Sequence, residues 1–164
     1  MSSALVIVDM QKQFYRGFGK VAMDRAQVTL NQLIERFRER GDPVVWIQHE
    51  SCGEGLVPGR EGFGIIDALS PLSNEAVIVK RRGNGFSGTG LETYLRQHSV
   101  DDIVVGGYAA EACVHKTYRG GLRLGFSAAK IRGGVASGIP LLLWLFDKIG
   151  VYRTADEFSA DGRG

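Results

Sequence analysis

The hydrophobic positions of the chain form short continuous runs that are separated by longer amphipathic segments. Four runs, rich in valine and isoleucine, occupy residues 4–9, 42–48, 76–80 and 101–107. A continuous apolar run of this length is typical of a strand that is buried on both faces of a parallel sheet. The pattern therefore predicts four buried strands.

The segments between these runs have the spacing of helices. In residues 30–37, apolar side chains recur three and four positions apart, and Gly41 follows as a stop signal. Residues 89–92 have the form of a capping box, which predicts the start of a second helix, and a third is expected from Cys113 to about Gly125. Strands that alternate with helices predict right-handed βαβ units and a mostly parallel sheet that is covered on both faces.

The C-terminal part of the chain has weaker signals. Residues 127–134 stand where a fifth strand is expected but contain few apolar side chains. Residues 140–150 begin with proline and end with glycine, as helices often do, and residues 150–153 could form a short sixth strand. Residues 154–157 form a second capping-box sequence. We expect the whole chain, 1–164, to be a single domain, since its length suits one hydrophobic core.

The composition is that of an ordinary globular protein, with 44% hydrophobic and 23% charged residues. A net charge of +2 gives no support for a nucleic-acid or membrane partner. The N-terminus shows no secretory signal, and the longest apolar run, 139–146, is far shorter than the roughly 20 residues of a membrane helix. Two cysteines, Cys52 and Cys113, are too few for a disulfide framework. We therefore expect a cytoplasmic protein with reduced thiols.

One glycine pattern has the form of a nucleotide-binding loop. Gly83, Gly85 and Gly88 spell G-x-G-x-x-G between the third run and the second predicted helix. In a dinucleotide fingerprint the first glycine directly follows the strand, usually the first strand, and an acidic residue follows about 20 residues later. Here two arginines intervene and the strand is the third. We favour a flexible turn at an active site, and a nucleotide-binding oxidoreductase is the weaker alternative.

Polar side chains with complementary chemistry follow three of the predicted strands. Asp9 ends the first strand, Lys80 ends the third, and Cys113 follows the fourth at the expected start of a helix. Ligands of open parallel sheets bind beyond the carboxyl ends of the strands, so these side chains are expected to lie close together. Taken singly, Asp9 could cap a loop, Lys80 could be a solvated strand end, and Cys113 could be a small core residue. All three together favour a catalytic site.

These three side chains suit nucleophilic catalysis. A thiol becomes reactive when a cation or a helix N-terminus lowers its pKa, and Lys80 and the helix amides could do this for Cys113. Asp9 could accept the thiol proton and later pass it to a leaving amine. The turn at residues 106–113 could aim backbone N–H groups at a developing oxyanion.

The sequences around these residues resemble the isochorismatase-like cysteine hydrolase family. The similarity is carried by LVIVDMQKQF, by VIVKRRGNGFSGTGLETYLRQHSVDDIVVGGYAAEACV and by the spacing between them, over residues 4–126. It implies a Rossmann-like, three-layer αβα fold with a mostly parallel six-stranded sheet and an Asp-Lys-Cys triad. It also implies that Cys113 is the nucleophile, Asp9 the general acid and base, and Lys80 their electrostatic partner.

The resemblance implies further features of the site. A cis peptide bond between two non-proline residues would fall at Tyr108–Ala109, and the amides of Ala109 and Cys113 would form the oxyanion hole. Phe14, Phe86 and Tyr108 would bind the substrate, although the two phenylalanines could equally be core aromatics. The resemblance also implies a homo-oligomer.

The chain departs from the family pattern in three places. Gln13 stands where an acidic residue is common, Ala110 stands where threonine is frequent, and residues 127–137 lack the usual strong strand that ends in Asp-Ala. A catalytically silent member that binds a small molecule is therefore one alternative. The vinyl-ether-cleaving branch of the family is less suited, because its members need not keep the cysteine.

The function predicted from these features is that of an amidase-type cysteine hydrolase. It would cleave a small amide or related C–N bond through a thioester, without a cofactor. The nicotinamide-hydrolysing branch of the family binds a divalent metal through an aspartate and several histidines after its second strand. His49 and Cys52 alone supply too few ligands in that region, so we expect no metal site.

Overall fold

The sheet of the protein has six strands, and all of them run parallel. The computed structural model describes residues 2–159. Its strands are β1 (Ser2–Val8), β2 (Val44–His49), β3 (Ala76–Lys80), β4 (Val100–Tyr108), β5 (Ser127–Ala136) and β6 (Tyr152–Arg153). They are ordered β3-β2-β1-β4-β5-β6, and every neighbouring pair is parallel. The parallel six-stranded sheet is thereby confirmed.

Helices cover both faces of this sheet. They are α1 (Gly17–Arg40), α2 (Leu91–Gln97), α3 (His115–Arg123) and α4 (Pro140–Phe146). The apolar stripe of α1, which includes Leu30 and Phe37, is buried against one face. Leu91 and Leu95 of α2 and Tyr118 of α3 are buried against the other face. Two cores, one on each side of the sheet, confirm the three-layer αβα fold. No helix within residues 2–159 is long and apolar enough to cross a membrane.

Strand β3 packs against the core on one face only, whereas the sequence predicts burial on both faces. It is an edge strand, and Val77 and Val79 are 46% and 40% exposed. Only the side that carries Ala76 and Ile78 packs against the core beneath α2. An apolar run thus identified the strand correctly but not its position at the edge of the sheet.

Residues 127–137 contain a regular strand despite their weak apolar signal. The buried side chains of β5 include two small ones, Ala128 and Ala129, and the fully buried Lys130. The Lys130 ammonium donates to the carbonyl of Phe146 (3.1 Å), which ties β5 to the end of α4. Small side chains and a paired lysine therefore take the place of the usual large apolar residues.

Of the two predicted capping boxes, only the second is formed. Helix α2 has Gly90 at its N-cap, and the Thr89 hydroxyl donates instead to the carbonyl of Gly85 (2.5 Å). The first prediction was wrong because α2 begins one residue later than the pattern places it. Thr154 and Glu157 do cap one another, but they open a short 3₁₀ turn rather than an α-helix.

The long connection between β2 and β3 packs over the carboxyl edge of the sheet. Its backbone is joined to the segment after β1, because Lys12 N–H donates to the Gly64 carbonyl (2.8 Å) and Ile66 N–H donates to the Met10 carbonyl (3.0 Å). Phe63 is buried. The connection is therefore part of the wall around this edge.

Candidate active site

Three polar side chains meet at the carboxyl edge of the sheet. Asp9 directly follows β1, Lys80 is the last residue of β3, and Cys113 lies in the turn after β4. Asp9 has a positive φ of 50°, and its amide donates to the Ile47 carbonyl of β2 (2.9 Å). Because β2 lies between β1 and β3, Lys80 reaches across the end of β2 to meet Asp9.

The ammonium group of Lys80 lies at the centre of the site. Its Nζ is 2.8 Å from Asp9 Oδ2, donates to Cys113 Sγ (3.3 Å), and is 3.2 Å from His49 Nδ1. Lys80 and Asp9 are each 1% exposed, so water does not screen their ion pair. Cys113 has intermediate exposure. The structure thus brings together the three side chains that the sequence places at strand ends.

One carboxylate oxygen of Asp9 is free to take a proton. Oδ1 is buried and has no hydrogen-bond donor among residues 2–159, whereas Oδ2 is paired with Lys80. Burial raises the pKa of Asp9 above its ordinary value of 3.8, and the charge of Lys80 opposes that effect. A carboxylate with a raised pKa and an unpaired oxygen suits a general base.

The thiol of Cys113 holds its proton at neutral pH. Burial and the negative charge of Asp9 raise its pKa to about 12, and Lys80 offsets them only in part. The lowered pKa expected from the sequence is therefore wrong, because burial and one anion outweigh one cation. Cys113 also lies inside a π-helical turn (Ala110–Val114) that precedes α3, not at the first residue of a helix. Such a thiol needs a base, and Asp9 is adjacent to it.

The turn that leads to Cys113 has an unusual backbone. The peptide bond Tyr108–Ala109 is cis, as predicted. Gly107, just before it, has a φ of 119°, and a Cβ there would overlap the carbonyl oxygen of Val8, so only glycine fits. In the described part of the chain, the Ala109 amide donates to no backbone acceptor. An N–H group is thereby left near the start of the turn that carries the thiol.

Two of the three aromatic residues predicted to bind substrate lie together. Phe14 and Tyr108 stack with their ring centroids 4.8 Å apart. Phe86 instead stacks on Phe126, with centroids 5.8 Å apart, and packs in the core beneath α3. Because Phe126 immediately precedes β5, that contact lies toward the amino end of the sheet. These contacts favour the core interpretation of Phe86, and its role in substrate binding stays a prediction.

Two further residues shape the site: Gln11, which the sequence analysis does not single out, and His49, which it considers only as a metal ligand. Gln11 is fully buried; its Oε1 accepts from His49 N–H (2.8 Å), and its Nε2 donates to the carbonyls of His49 (3.1 Å) and Phe63 (2.9 Å). His49 ends β2 and contacts Lys80. Both residues lie at the carboxyl end of a strand, so the rule that selects Asp9 and Lys80 could have selected them too.

The glycine-rich loop at residues 83–88 packs against α3. Gly85 N–H donates to the Thr117 hydroxyl (2.9 Å). A Cβ on Gly120 would overlap the side chain of Asn84, so the loop and the helix approach each other closely. Gly83 and Gly85 lie against α3, whereas Gly88 has a positive φ of 69° and open space around it. These contacts give no support to a nucleotide-binding loop.

Residues 2–159 do not form a metal centre. Among residues 2–159, no three His, Cys, Asp or Glu side chains are arranged so that they could hold a metal ion. His49 Nε2 lies 3.7 Å from Glu54 Oε2, and Cys52 is exposed in a nearby 3₁₀ turn. That the site works without a metal ion stays a prediction, and a chelation experiment tests it.

Comparison with known proteins gives matches over most of the chain. Residues 3–140 match the isochorismatase domain. The chain is 33% identical over 137 residues to YrdC of Bacillus subtilis, an uncharacterized isochorismatase family protein, with 82% of this chain and 73% of that protein covered. It is 26% identical over 160 residues to the ureidoacrylate amidohydrolase RutB of Klebsiella pneumoniae, with 74% and 68% covered.

A solved structure is similar over nearly the whole length. N-carbamoylsarcosine amidase from Thermoplasma acidophilum superposes with a TM-score of 0.83 at 28% identity, over 96% of this chain and 98% of that one. The sheet order, the residues at its carboxyl edge and the domain match agree with one another. The chain belongs to the isochorismatase family of hydrolases.

Proposed function

We propose that the protein is a cysteine hydrolase that cleaves a small amide or a related C–N bond. The observation that carries this proposal is the position of Lys80 Nζ, 2.8 Å from Asp9 Oδ2 and 3.3 Å from Cys113 Sγ. This geometry joins an acid–base group, a cation and a nucleophile at one edge of the sheet. Amide cleavage is favoured because two of the similar proteins are named an amidase and an amidohydrolase.

In the first half-reaction, Asp9 Oδ1 takes the thiol proton while Cys113 Sγ attacks the carbonyl carbon of the substrate. The carbonyl electron pair moves onto its oxygen, and the backbone N–H groups of Ala109 and Cys113 donate to that oxyanion. When the carbonyl re-forms, the C–N bond breaks and Asp9 gives its proton to the leaving nitrogen. A thioester on Cys113 remains.

Water completes the second half-reaction. Asp9 takes a proton from the water as its oxygen attacks the thioester carbon, the C–S bond breaks, and Asp9 returns the proton to sulfur. Lys80 exchanges no proton in either half-reaction, and its ammonium group stabilises the sulfur as negative charge develops there. Burial and the charge of Asp9 raise the pKa of the thiol, so the mechanism relies on Asp9 to take the thiol proton when the sulfur attacks.

The surroundings of the triad support further parts of the proposal. The stacked rings of Phe14 and Tyr108 would contact the apolar part of a small-molecule substrate. A homo-oligomer follows from the family resemblance, and exposed apolar side chains on α4, such as Leu141 (69%) and Trp144 (58%), support it. Sedimentation velocity tests it, and a monomer at high concentration would contradict it. A cytoplasmic location and the absence of a cofactor stay predictions from the sequence.

Ammonia release from a panel of small amides tests the proposed reaction. The panel includes ureido and N-carbamoyl compounds, because the similar proteins are named for substrates of that kind. Cys113→Ser and Asp9→Asn should abolish release, and intact-mass measurement should detect an acyl adduct on the wild-type protein alone. Activity should survive exhaustive chelation; loss that zinc restores would disprove the prediction of no metal. If folded wild-type protein binds panel members but turns none over, the binding-type alternative is the better one.

A further inference from the structure

The ammonium group of Lys80 has a third contact that the Asp-Lys-Cys triad leaves unused. Two of its N–H groups face Asp9 and Cys113, and the third faces Nδ1 of His49, 3.2 Å from Nζ. We propose that His49 is a positioning residue: a neutral imidazole, protonated on Nε2, that holds the Lys80 ammonium between Asp9 and Cys113. This inference rests on the proposed function and extends its machinery from three side chains to four.

The tautomer of His49 follows from the chemistry of its neighbour. A lysine ammonium has three donors and no acceptor, so the imidazole nitrogen that faces it must accept. Nδ1 therefore carries no proton, and the ring proton of the neutral form is on Nε2. Nε2 lies 3.7 Å from Glu54 Oε2, which is beyond hydrogen-bond distance but places a negative charge on the side of the protonated nitrogen.

The backbone of His49 is held on both sides by one buried side chain. Gln11 Oε1 accepts from His49 N–H (2.8 Å), and Gln11 Nε2 donates to the His49 carbonyl (3.1 Å). The same Nε2 donates to the Phe63 carbonyl (2.9 Å), which anchors the connection after β2. His49 itself is only 17% exposed at its side chain. A ring with a fixed backbone and little exposure has the rigidity that positioning requires.

The charges around His49 keep its ring neutral at neutral pH. The groups that face it are Lys80 from β3, Asp9 from the end of β1 and Glu54 from the connection, while Cys113 lies across Lys80. Burial and the charge of Lys80 lower the pKa of His49, and Asp9 and Glu54 oppose them. When acid protonates the ring, two cations face one another and Lys80 loses its third acceptor. Activity should therefore fall in acid through His49 as well as through Asp9.

Two variants of nearly the same shape separate positioning from packing. In His49→Asn the amide oxygen can take the place of Nδ1 as the acceptor for Lys80, and it does not titrate. His49→Leu has a similar shape without an acceptor. We expect His49→Leu to lower kcat by about 10²-fold with little change in KM, as for a small misplacement of a catalytic group. We expect His49→Asn to keep most of kcat and to lose one ionisation from the acid side of its pH profile.

Equal kcat values for the two variants would overturn the proposal, as would an unchanged acid limb in His49→Asn. A rise in KM at constant kcat in both would also overturn it, because His49 would then contact substrate rather than Lys80. Should His49→Leu fail to fold, the pH profiles of wild type and His49→Asn still decide the question.

A measurement that needs no turnover separates this proposal from the proposed function. In a Cys52→Ser background, iodoacetamide reports on Cys113 alone, since the chain has only these two cysteines. Lys80 lowers the pKa of Cys113, so losing its position should slow alkylation about tenfold for each pKa unit gained. We expect His49→Leu to react more slowly than His49→Asn at the same alkaline pH, even if no amide is ever found to be hydrolysed. Equal rates would overturn the positioning role while leaving the hydrolase proposal standing.

Discussion

Removing the charge of Lys80 while leaving that of Asp9 should strongly destabilise the fold. Each residue is 1% exposed, and the two charged groups are 2.8 Å apart. Lys80→Met keeps a side chain of similar length but leaves the carboxylate buried without a cation. Breaking a buried pair in this way typically costs about 3–5 kcal/mol. For a domain of this size that corresponds to a fall in Tm of about 6–20 °C.

A second substitution shows whether the unpaired charge is the cause. Adding Asp9→Asn to Lys80→Met removes both charges and should recover most of the lost stability. The pH dependence gives an independent check. Burial already raises the pKa of Asp9, and without Lys80 it rises further. The folded state then binds the proton more tightly than the unfolded chain does, so the penalty is absent below the ordinary pKa of 3.8 and grows as the pH rises through the folded pKa.

Urea unfolding followed by tryptophan fluorescence measures these differences, because Trp46 is 1% exposed and reports on the core. The single variant, the double variant and the wild type are compared at neutral pH and again near pH 4. A Lys80→Met protein as stable as wild type at neutral pH would refute the reasoning. So would a double variant no more stable than the single one, since the buried carboxylate would not then be the source of the loss.

Three other experiments test separate parts of the site. Near pH 8, iodoacetamide should modify the exposed Cys52 much faster than Cys113, because the raised pKa of Cys113 keeps its thiol protonated. Peptide mass spectrometry measures the two rates, and the reverse order would contradict the raised pKa of Cys113. Gln11→Leu should lower the free energy of unfolding by about 1–3 kcal/mol for each backbone group that it leaves unpaired. Gln13→Leu is the control: it removes a solvent-exposed hydrogen bond and should change the free energy of unfolding by less than about 0.5 kcal/mol. Similar urea midpoints for these two variants would show that the Gln11 contacts add nothing. Gly107→Ala should prevent folding, because of its φ of 119° and the overlap with Val8, and a native circular dichroism spectrum would count against that.

The strands and the three strand-end residues could be predicted from the sequence because they depend on one local pattern. A strand buried on both faces needs apolar side chains at nearly every position, so β1, β2 and β4 appear as uninterrupted runs. Few polar residues follow such runs directly. Because the strands are parallel, these polar residues meet at the carboxyl edge of the sheet. Asp9, Lys80 and Cys113 follow from that pattern together with one rule of topology.

Strands β3 and β5 show where the same pattern falls short. Val77 and Val79 of β3 belong to an apolar run that predicts burial, yet both are exposed in this edge strand. Lys130 of β5 is a charged residue in a weakly apolar segment, yet it is fully buried, with Nζ 4.5 Å from the ring centroid of Tyr152. Its other partner, the Phe146 carbonyl, is also distant in sequence. The exposure of β3 depends on strand order, and the burial of Lys130 depends on partners distant in sequence. A window of a few residues contains neither kind of information.

The protonation state of Cys113 depends on still more distant information. The sequence shows that a lysine and a helix lie near the thiol, and both of these lower a cysteine pKa. It does not show that the same ammonium is shared with Asp9 and His49, or that burial and the Asp9 charge act against it. The Lys80 ammonium contacts Asp9, Cys113 and His49 at once, so its charge offsets only part of the effect of burial on the thiol. In the reaction we propose, Asp9 must therefore take the proton of a thiol that rests in its neutral form beside the ion pair.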